Sequence, residues 1–351
     1  MSGAPAGRLD ARLADLLARG VEEGVFPSAG ALIASEHRVR AVACAGGARL
    51  DSLWDLASLT KPMAVVTLCM RGVAAGWLSL DEVVPALPGA PVTVRALLAH
   101  RSGLPALCDL PAMLDQALGR WTPGSIEARR VALRLIAELP RAAPPQTIYS
   151  DLGFIVLADH LERRLGRPLR ALIAGFSGTE PARHPERFVP GRLCPRRGRV
   201  LRGEVEDLNA WALGGAAGHA GLFATLEATG AWAIDLGRAD AGLPASVPTG
   251  VVQRFWDLAE RAPAGPDGVR PTWVLGFDTP TPGASSAGTT VSPHAVGHLG
   301  YTGTSVWLDR EQRTTIVLLS NRSAGGPHTQ AAMRAFRPRF HDAARALLAG
   351  R

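Results

Sequence analysis

Ser58 and Lys61 lie three residues apart in the run Asp55-Leu56-Ala57-Ser58-Leu59-Thr60-Lys61-Pro62-Met63. On a helix that spacing puts a hydroxyl and an amine on one face. Lys61 is the only lysine among the 38 Lys and Arg of this 351-residue chain. Arg fills every other cationic position, so the one lysine is expected where Arg cannot serve. Arg stays protonated at any ordinary pH, whereas a desolvated lysine can lose its proton and act as a base. Pro62 is tolerated near a helix start and poorly inside one, so the helix should begin close to Ser58. Unpaired N–H groups and the positive dipole end there favour a developing oxyanion and disfavour a protonated amine. The chemistry expected is a serine nucleophile activated by an amine. The plainer reading, an N-cap serine beside a solvated lysine, is weakened by the uniqueness of Lys61.

Tyrosine is as scarce, with only Tyr149 and Tyr301. Tyr149 opens Tyr149-Ser150-Asp151-Leu152-Gly153-Phe154, after a Pro144-Pro145 loop and before a helical run through Ile155, Leu157, Leu161 and Leu165. At the mouth of a helix its hydroxyl could relay protons between Ser58, Lys61 and a leaving group; the plainer reading is a partly buried core tyrosine. A third segment, Gly297 to Leu308, reads as a strand. Asp309 to Gln312 then turn into a second β-rich run, Thr314 to Leu319, making a hairpin. Glycines inside a strand often mark close approach of a ligand, which suits an edge strand where a substrate carbonyl docks.

Ser58-x-x-Lys61, Tyr149-Ser150-Asp151 and His298-Leu299-Gly300 together resemble the three motifs of the serine β-lactamase and penicillin-binding-protein superfamily. The closer likeness is to the class C β-lactamase-like branch, which also contains esterases, D-stereospecific peptidases and acyltransferases. Leu97 to Pro105 and Ala217 to Thr225 are similar to further segments of that branch, and the resemblance runs from about residue 10 to the C-terminus. It implies that Ser58 attacks an acyl carbonyl, Lys61 takes its proton and Tyr149 assists the leaving group. The backbone N–H groups of Ser58 and Tyr301 would form the oxyanion hole, typically worth a few kcal/mol each. Asp151, His298 and Gly300 would meet the substrate, His298 as a donor. No metal and no organic cofactor is implied. Leu299 stands where the superfamily usually has Thr or Ser, and Asp151 where many members have Asn. An ionised Asp only accepts hydrogen bonds, so contacts to a substrate carbonyl are lost. Both departures point away from an antibiotic-degrading enzyme and toward an esterase-like hydrolase of small acyl compounds. A β-lactamase, a D-amino-acid peptidase or an acyltransferase of the same fold is the alternative, and a non-catalytic binding protein a lesser one.

The elements that must hold these residues read as an α+β fold in one domain, 1–351. An antiparallel sheet flanked by N- and C-terminal helices is expected from 1–85 and 270–351, with a mostly helical subdomain over 86–269. Leu9, Leu13, Leu16 and Leu17 recur at helical spacing before Gly20, read as the helix stop. Ala29 to Ser35 and Val39 to Cys44 form a hairpin turning at Glu36-His37, and Thr272 to Phe277 reads as a further strand. Ser285 to Gly288 reads as a flexible loop, and a helix over Thr329 to Leu348 closes the chain, with Pro338 expected to kink it.

Composition narrows the function. Hydrophobic residues make up 47% of the chain, enough for a sizeable core. No apolar run approaches the roughly 20 residues of a membrane span, and Met1 to Gly20 lacks a secretory pattern, so a cytoplasmic protein is expected. Four separated cysteines suggest reduced thiols, and His294 and His298 do not form a metal pair because Pro293 and Gly297 argue against a helix. The net charge of +7 is spread out and aromatics are 5%, which disfavours a nucleic-acid partner. The cluster Arg192, Arg196, Arg197, Arg199 and Arg202 reads as a solvated loop rather than an anion-binding patch. Gly175-Phe176-Ser177-Gly178-Thr179 fails the G-x-S-x-G pattern of other serine hydrolases. Oligomeric state is not legible here.

Overall fold

The structure, a computed structural model, describes residues 6–143, 146–173, 184–265 and 268–350. The Pro144-Pro145 loop and the 175–179 segment lie outside the described residues. Strands are β1 (Ala29–Ser35), β2 (Arg38–Ala45), β3 (Trp54–Asp55), β4 (Leu193–Cys194), β5 (Arg199–Val200), β6 (Phe223–Ala224), β7 (Val296–Leu299), β8 (Ser305–Asp309) and β9 (Thr314–Ser320). The main sheet is antiparallel, in the order β2-β1-β9-β8-β7. The β1–β2 turn is made by Glu36 and His37, both at positive φ (49° and 58°), the conformation that matches the twist of a tight hairpin.

Strand alternation splits the core in two. Ile33, Ile316 and Leu318 point to one face, where they meet Leu13 and Leu17 of helix α1 (Ala6–Glu22). Phe336 and Phe340 of the C-terminal helix, Thr329–Leu348, complete this layer, and that helix runs unbroken through Pro338. Their neighbours Leu32, Val317 and Leu319 point to the other face, into a larger cluster with Trp54, Met63, Val66, Trp232 and Phe277. The period of two in β1 and β9 thus dictates a sheet buried on both sides. Between the outer strands lie helices α2 (Thr67–Ala74), α3 (Val94–Leu98), α4 (Leu110–Leu118), α5 (Ile126–Glu138), α6 (Asp151–Leu165), α7 (Leu169–Leu172), α8 (Leu208–Ala212), α9 (Leu226–Asp240) and α10 (Thr249–Phe255). Helix α9 packs against β1 and β9. No described helix is long and apolar enough to cross a membrane.

Three expectations are corrected. Gly20 does not stop α1, which continues to Glu22; its missing side chain instead leaves room for the Phe26 ring, and the chain reverses at Gly24, φ 68°. Thr272 to Phe277 forms no strand, since only Asp278 pairs, exchanging bonds of 2.8 and 2.9 Å with Gly297. Gly297 to Leu308 is two strands, not one. The Gly300 N–H donates to Thr304 O at 2.8 Å and closes a turn between β7 and β8.

Candidate active site

Ser58 sits in a 3₁₀ turn, Ala57–Leu59, joined to one wide π-type stretch, Lys61–Val66, before α2 begins. The helix start expected near Ser58 is there, but it is not plain α-helix. Thr67 Oγ1 donates to Pro62 O at 2.9 Å, and such wide turns are frequent at functional sites. Ala57, just before the serine, has φ of 47°, an uncommon conformation for a residue with a Cβ. The Asp55 carboxylate holds it there by accepting the Ala57 N–H at 2.9 Å, while its other oxygen accepts the Glu206 N–H at 2.8 Å. Burial and the neighbouring Glu206 push the Asp55 carboxyl up to about 7.

Lys61 is fully buried. Its ammonium lies 2.9 Å from Ser58 Oγ, 2.6 Å from Asp151 Oδ1 and 3.3 Å from His219 O. Burial alone would lower its pKa, but the Tyr149 oxygen and the Asp151 carboxylate outweigh it and hold the amine above the ordinary lysine value. These contacts favour the ammonium form at rest, whereas the helix dipole alone would favour the free amine. Tyr149 and Asp151 act together, and Asp151 supplies a negative charge where the superfamily often has an amide.

The Tyr149 ring lies 4.8 Å from the Lys61 ammonium, and its hydroxyl interacts with Lys61 and Ser58. Burial raises the hydroxyl further than Lys61 lowers it, so Tyr149 is a neutral phenol. His100 and Trp273 pack on the ring at centroid distances of 4.7 and 4.9 Å. His100 also fixes the next residue, accepting the Ser150 N–H at Nδ1 (3.0 Å). Burial, then Lys61 and His298, keep that imidazole neutral. Ser150 in turn caps α6 by accepting the Gly153 N–H at 3.2 Å.

His219 and Asp207 were not singled out from sequence, though His219 lies within the Ala217 to Thr225 segment. Backbone pairing of Leu56 with Leu222 and a bond from Leu222 N–H to Thr60 Oγ1 (3.0 Å) dock this segment beside the nucleophile. His219 Nε2 lies 2.8 Å from Asp207 Oδ1 and Nδ1 faces Ala217 O at 3.4 Å. Both ring nitrogens face acceptors, an arrangement that favours the doubly protonated imidazole. Burial opposes this, yet Asp207 raises the pKa above 6.5. Lys61 and His219, both buried, thus face the part-exposed Asp151 and Asp207 in one network. Asp151, Asp207 and His219 each present a donor atom within 4.8 Å of the others, a set that could hold a cation.

The third motif closes the site from β7, the sheet's edge strand. His298 Nδ1–H donates to Leu299 O at 2.8 Å, and burial and Lys61 push the imidazole down to about 3. Its buried Nε2 has no hydrogen-bond partner among the described residues, so the neutral ring presents an acceptor to the cleft, where a donor was expected. Gly300 lines the cleft, but a Cβ there would lie 2.0 Å from Thr304 Oγ1 and 2.7 Å from Leu56 O. Only glycine lets this strand end approach the nucleophile turn. Neither the Ser58 nor the Tyr301 N–H has a hydrogen-bond partner among the described residues. The Arg192–Arg202 cluster is tied down locally, for example Arg196 to Asp115 and Arg199 to Glu204.

The cleft has two lobes, of about 490 and 550 Å³, which share Ser58, Asp151 and Tyr301. Asp55, Glu206 and Asp207 line the first lobe; Tyr149, His298 and Trp273 line the second.

A family model described as beta-lactamase matches residues 13–337. A candidate D-alanyl-D-alanine carboxypeptidase of Escherichia coli K12 is 28% identical over 337 residues, covering 81% of this chain and 71% of its own. Among solved structures, EstCE1, a hydrolase with promiscuous acyltransferase activity, matches with a TM-score of 0.70 at 19% identity, covering 97% of this chain and 99% of its own. The D-amino acid amidase of Ochrobactrum anthropi matches with a TM-score of 0.69 at 18% identity, covering 97% and 99%.

Proposed function

Because this chain belongs to the beta-lactamase family, we propose that it is a serine hydrolase of esters or related small acyl compounds, working through an acyl-enzyme on Ser58. The observation that carries the reading is the continuous path from Ser58 Oγ through Lys61 Nζ to Asp151 Oδ1, in steps of 2.9 and 2.6 Å. An ammonium cannot take another proton. Lys61 therefore accepts the Ser58 proton as it passes one of its own to Asp151. Ser58 Oγ bonds to the acyl carbon, and the carbonyl oxygen takes the negative charge toward the N–H groups of Ser58 and Tyr301. When the tetrahedral species collapses, the bond to the leaving atom breaks. Tyr149 gives that atom a proton and regains one from Lys61, which recovers its own from Asp151. Water then repeats the sequence on the acyl-enzyme, releasing the acid and restoring Ser58. An alcohol or amine in place of water would give acyl transfer by the same steps, as in the name given to EstCE1.

The test is a short-chain p-nitrophenyl ester together with a fluorophosphonate probe read by intact mass. One adduct, on Ser58, is expected, with turnover abolished in Ser58→Ala. Lys61→Arg keeps the charge but cannot relay a proton, so a loss of about 10³-fold is expected. Turnover surviving both substitutions would falsify the mechanism.

A further inference from the structure

Asp55 touches three pieces of the site at once. Its carboxylate accepts the Ala57 N–H at 2.9 Å, two residues on, and with its other oxygen the Glu206 N–H at 2.8 Å. Its carbonyl accepts the Thr302 hydroxyl at 2.7 Å, and the next carbonyl, Leu56 O, accepts the Thr304 hydroxyl at 3.1 Å. The first of these bonds is an Asx turn, by which an acid sets the backbone just after it. Ala57 has φ of 47°, which a residue with a Cβ holds only where its surroundings impose it. The peptide that follows Ala57 carries the Ser58 N–H and, being planar, turns as one piece. On the other side, the two threonine hydroxyls tie down the loop that carries the Tyr301 N–H. Both donors of the oxyanion hole are therefore placed by contacts to Asp55, Leu56 and Ala57.

We propose that Asp55, in its ionised form, is a positioning residue for the oxyanion hole, aligning the Ser58 N–H through Ala57 and the Tyr301 N–H through Thr302. This role rests on the hydrolase reading above. Ionisation matters because both carboxyl oxygens face N–H donors, and a carboxylate accepts more strongly than a neutral acid. The segment before α8 presents Glu206 and Asp207 to Asp55, and Arg192 Nε lies 3.8 Å from Glu206 Oε2. Helix α6 presents Asp151 across the lobe, already paired with Lys61. Strand β6 brings Phe223, and the third-motif loop brings Tyr301 and Thr302. Burial first, then Glu206 and Asp207, push the Asp55 carboxyl up to about 7. The aligning form is therefore gained as pH rises through that value.

The experiment follows kcat/KM for p-nitrophenyl acetate against pH in the wild type, Asp55→Asn and Thr302→Val. Inhibition by phenylboronic acid is measured beside it, because a tetrahedral boronate on Ser58 places an oxygen in the hole. Asparagine can still accept the Ala57 N–H but turns a donor toward the Glu206 N–H. On the alkaline plateau kcat/KM of Asp55→Asn should fall about tenfold, the loss of one charge-assisted bond. Its inhibition constant for phenylboronic acid should rise by as much. The acid limb that the wild type shows at about 7 should be absent from Asp55→Asn. Thr302→Val removes only the contact to the carbonyl, so its rate should fall while the limb stays. A merely structural role for Asp55 would lower rate and stability but leave the limb in place. An unchanged Asp55→Asn rate, a limb retained in that variant, or a Thr302→Val rate equal to the wild type's overturns the proposal. Suppose instead that the wild type shows no Ser58-dependent turnover. Tighter binding of phenylboronic acid by the wild type than by Asp55→Asn then sinks the hydrolase reading and keeps the role of Asp55, and equal binding overturns both.

Discussion

Lys61 Nζ and Asp151 Oδ1 are 2.6 Å apart, and the lysine end of this pair is sealed from water. Breaking a buried pair by removing one partner strands the other. The pair therefore favours the ammonium form of the lysine and, in the proposed mechanism, puts Asp151 at the end of the proton path.

Asp151→Asn tests this directly. Without the carboxylate, one of the two groups that offset burial is gone and the Lys61 pKa should fall. The relay also loses its terminus, so kcat/KM near neutral pH should drop by about 10²-fold. The remaining rate should climb with pH as the amine gives up its proton. A pH profile of both proteins checks it. An Asn variant as active as the wild type at neutral pH removes Asp151 from the path.

His219 makes a prediction about stability. A base whose folded pKa exceeds its unfolded value of 6.5 contributes fully below 6.5 and loses that contribution as pH rises through the folded value. His219→Gln leaves the half-buried Asp207 without its charge partner, at a cost of about 1–2 kcal/mol near pH 6 once solvent screening is allowed for. The gap to the wild type should narrow at alkaline pH. Urea denaturation at both pH values measures it, and a gap that does not change with pH means the imidazole is not charged.

What was legible in the sequence is what local pattern encodes. The β1–β2 hairpin was legible as two runs meeting at the Glu36-His37 turn, and the last helix over Thr329 to Leu348. Ser58 and Lys61 followed from spacing and rarity, since one turn of chain brings them together. Long-range electrostatics was not legible. Asp151 lies 90 residues from Lys61 and His219 158, and no local rule says which charges will meet. The missed β7–β8 turn has a similar cause. Gly300 reads as a strand residue until Leu56 O, brought in from elsewhere in the chain, leaves no room for a Cβ.

Gly300 supplies the last prediction. In Gly300→Ala the new methyl meets Thr304 Oγ1, which can rotate away, and Leu56 O, which is backbone and cannot. The strand end must retreat from the nucleophile turn, carrying the adjoining Tyr301 N–H with it. Losing one aligned oxyanion donor costs about 10²-fold in kcat. If Tyr301 has that role, kcat for a p-nitrophenyl ester should fall by this much while KM changes little. Fluorophosphonate labelling of Ser58 should slow in parallel, because its tetrahedral phosphorus places an oxygen on the same donors. An unchanged kcat in a variant whose thermal unfolding confirms an intact fold would remove Tyr301 from the oxyanion hole.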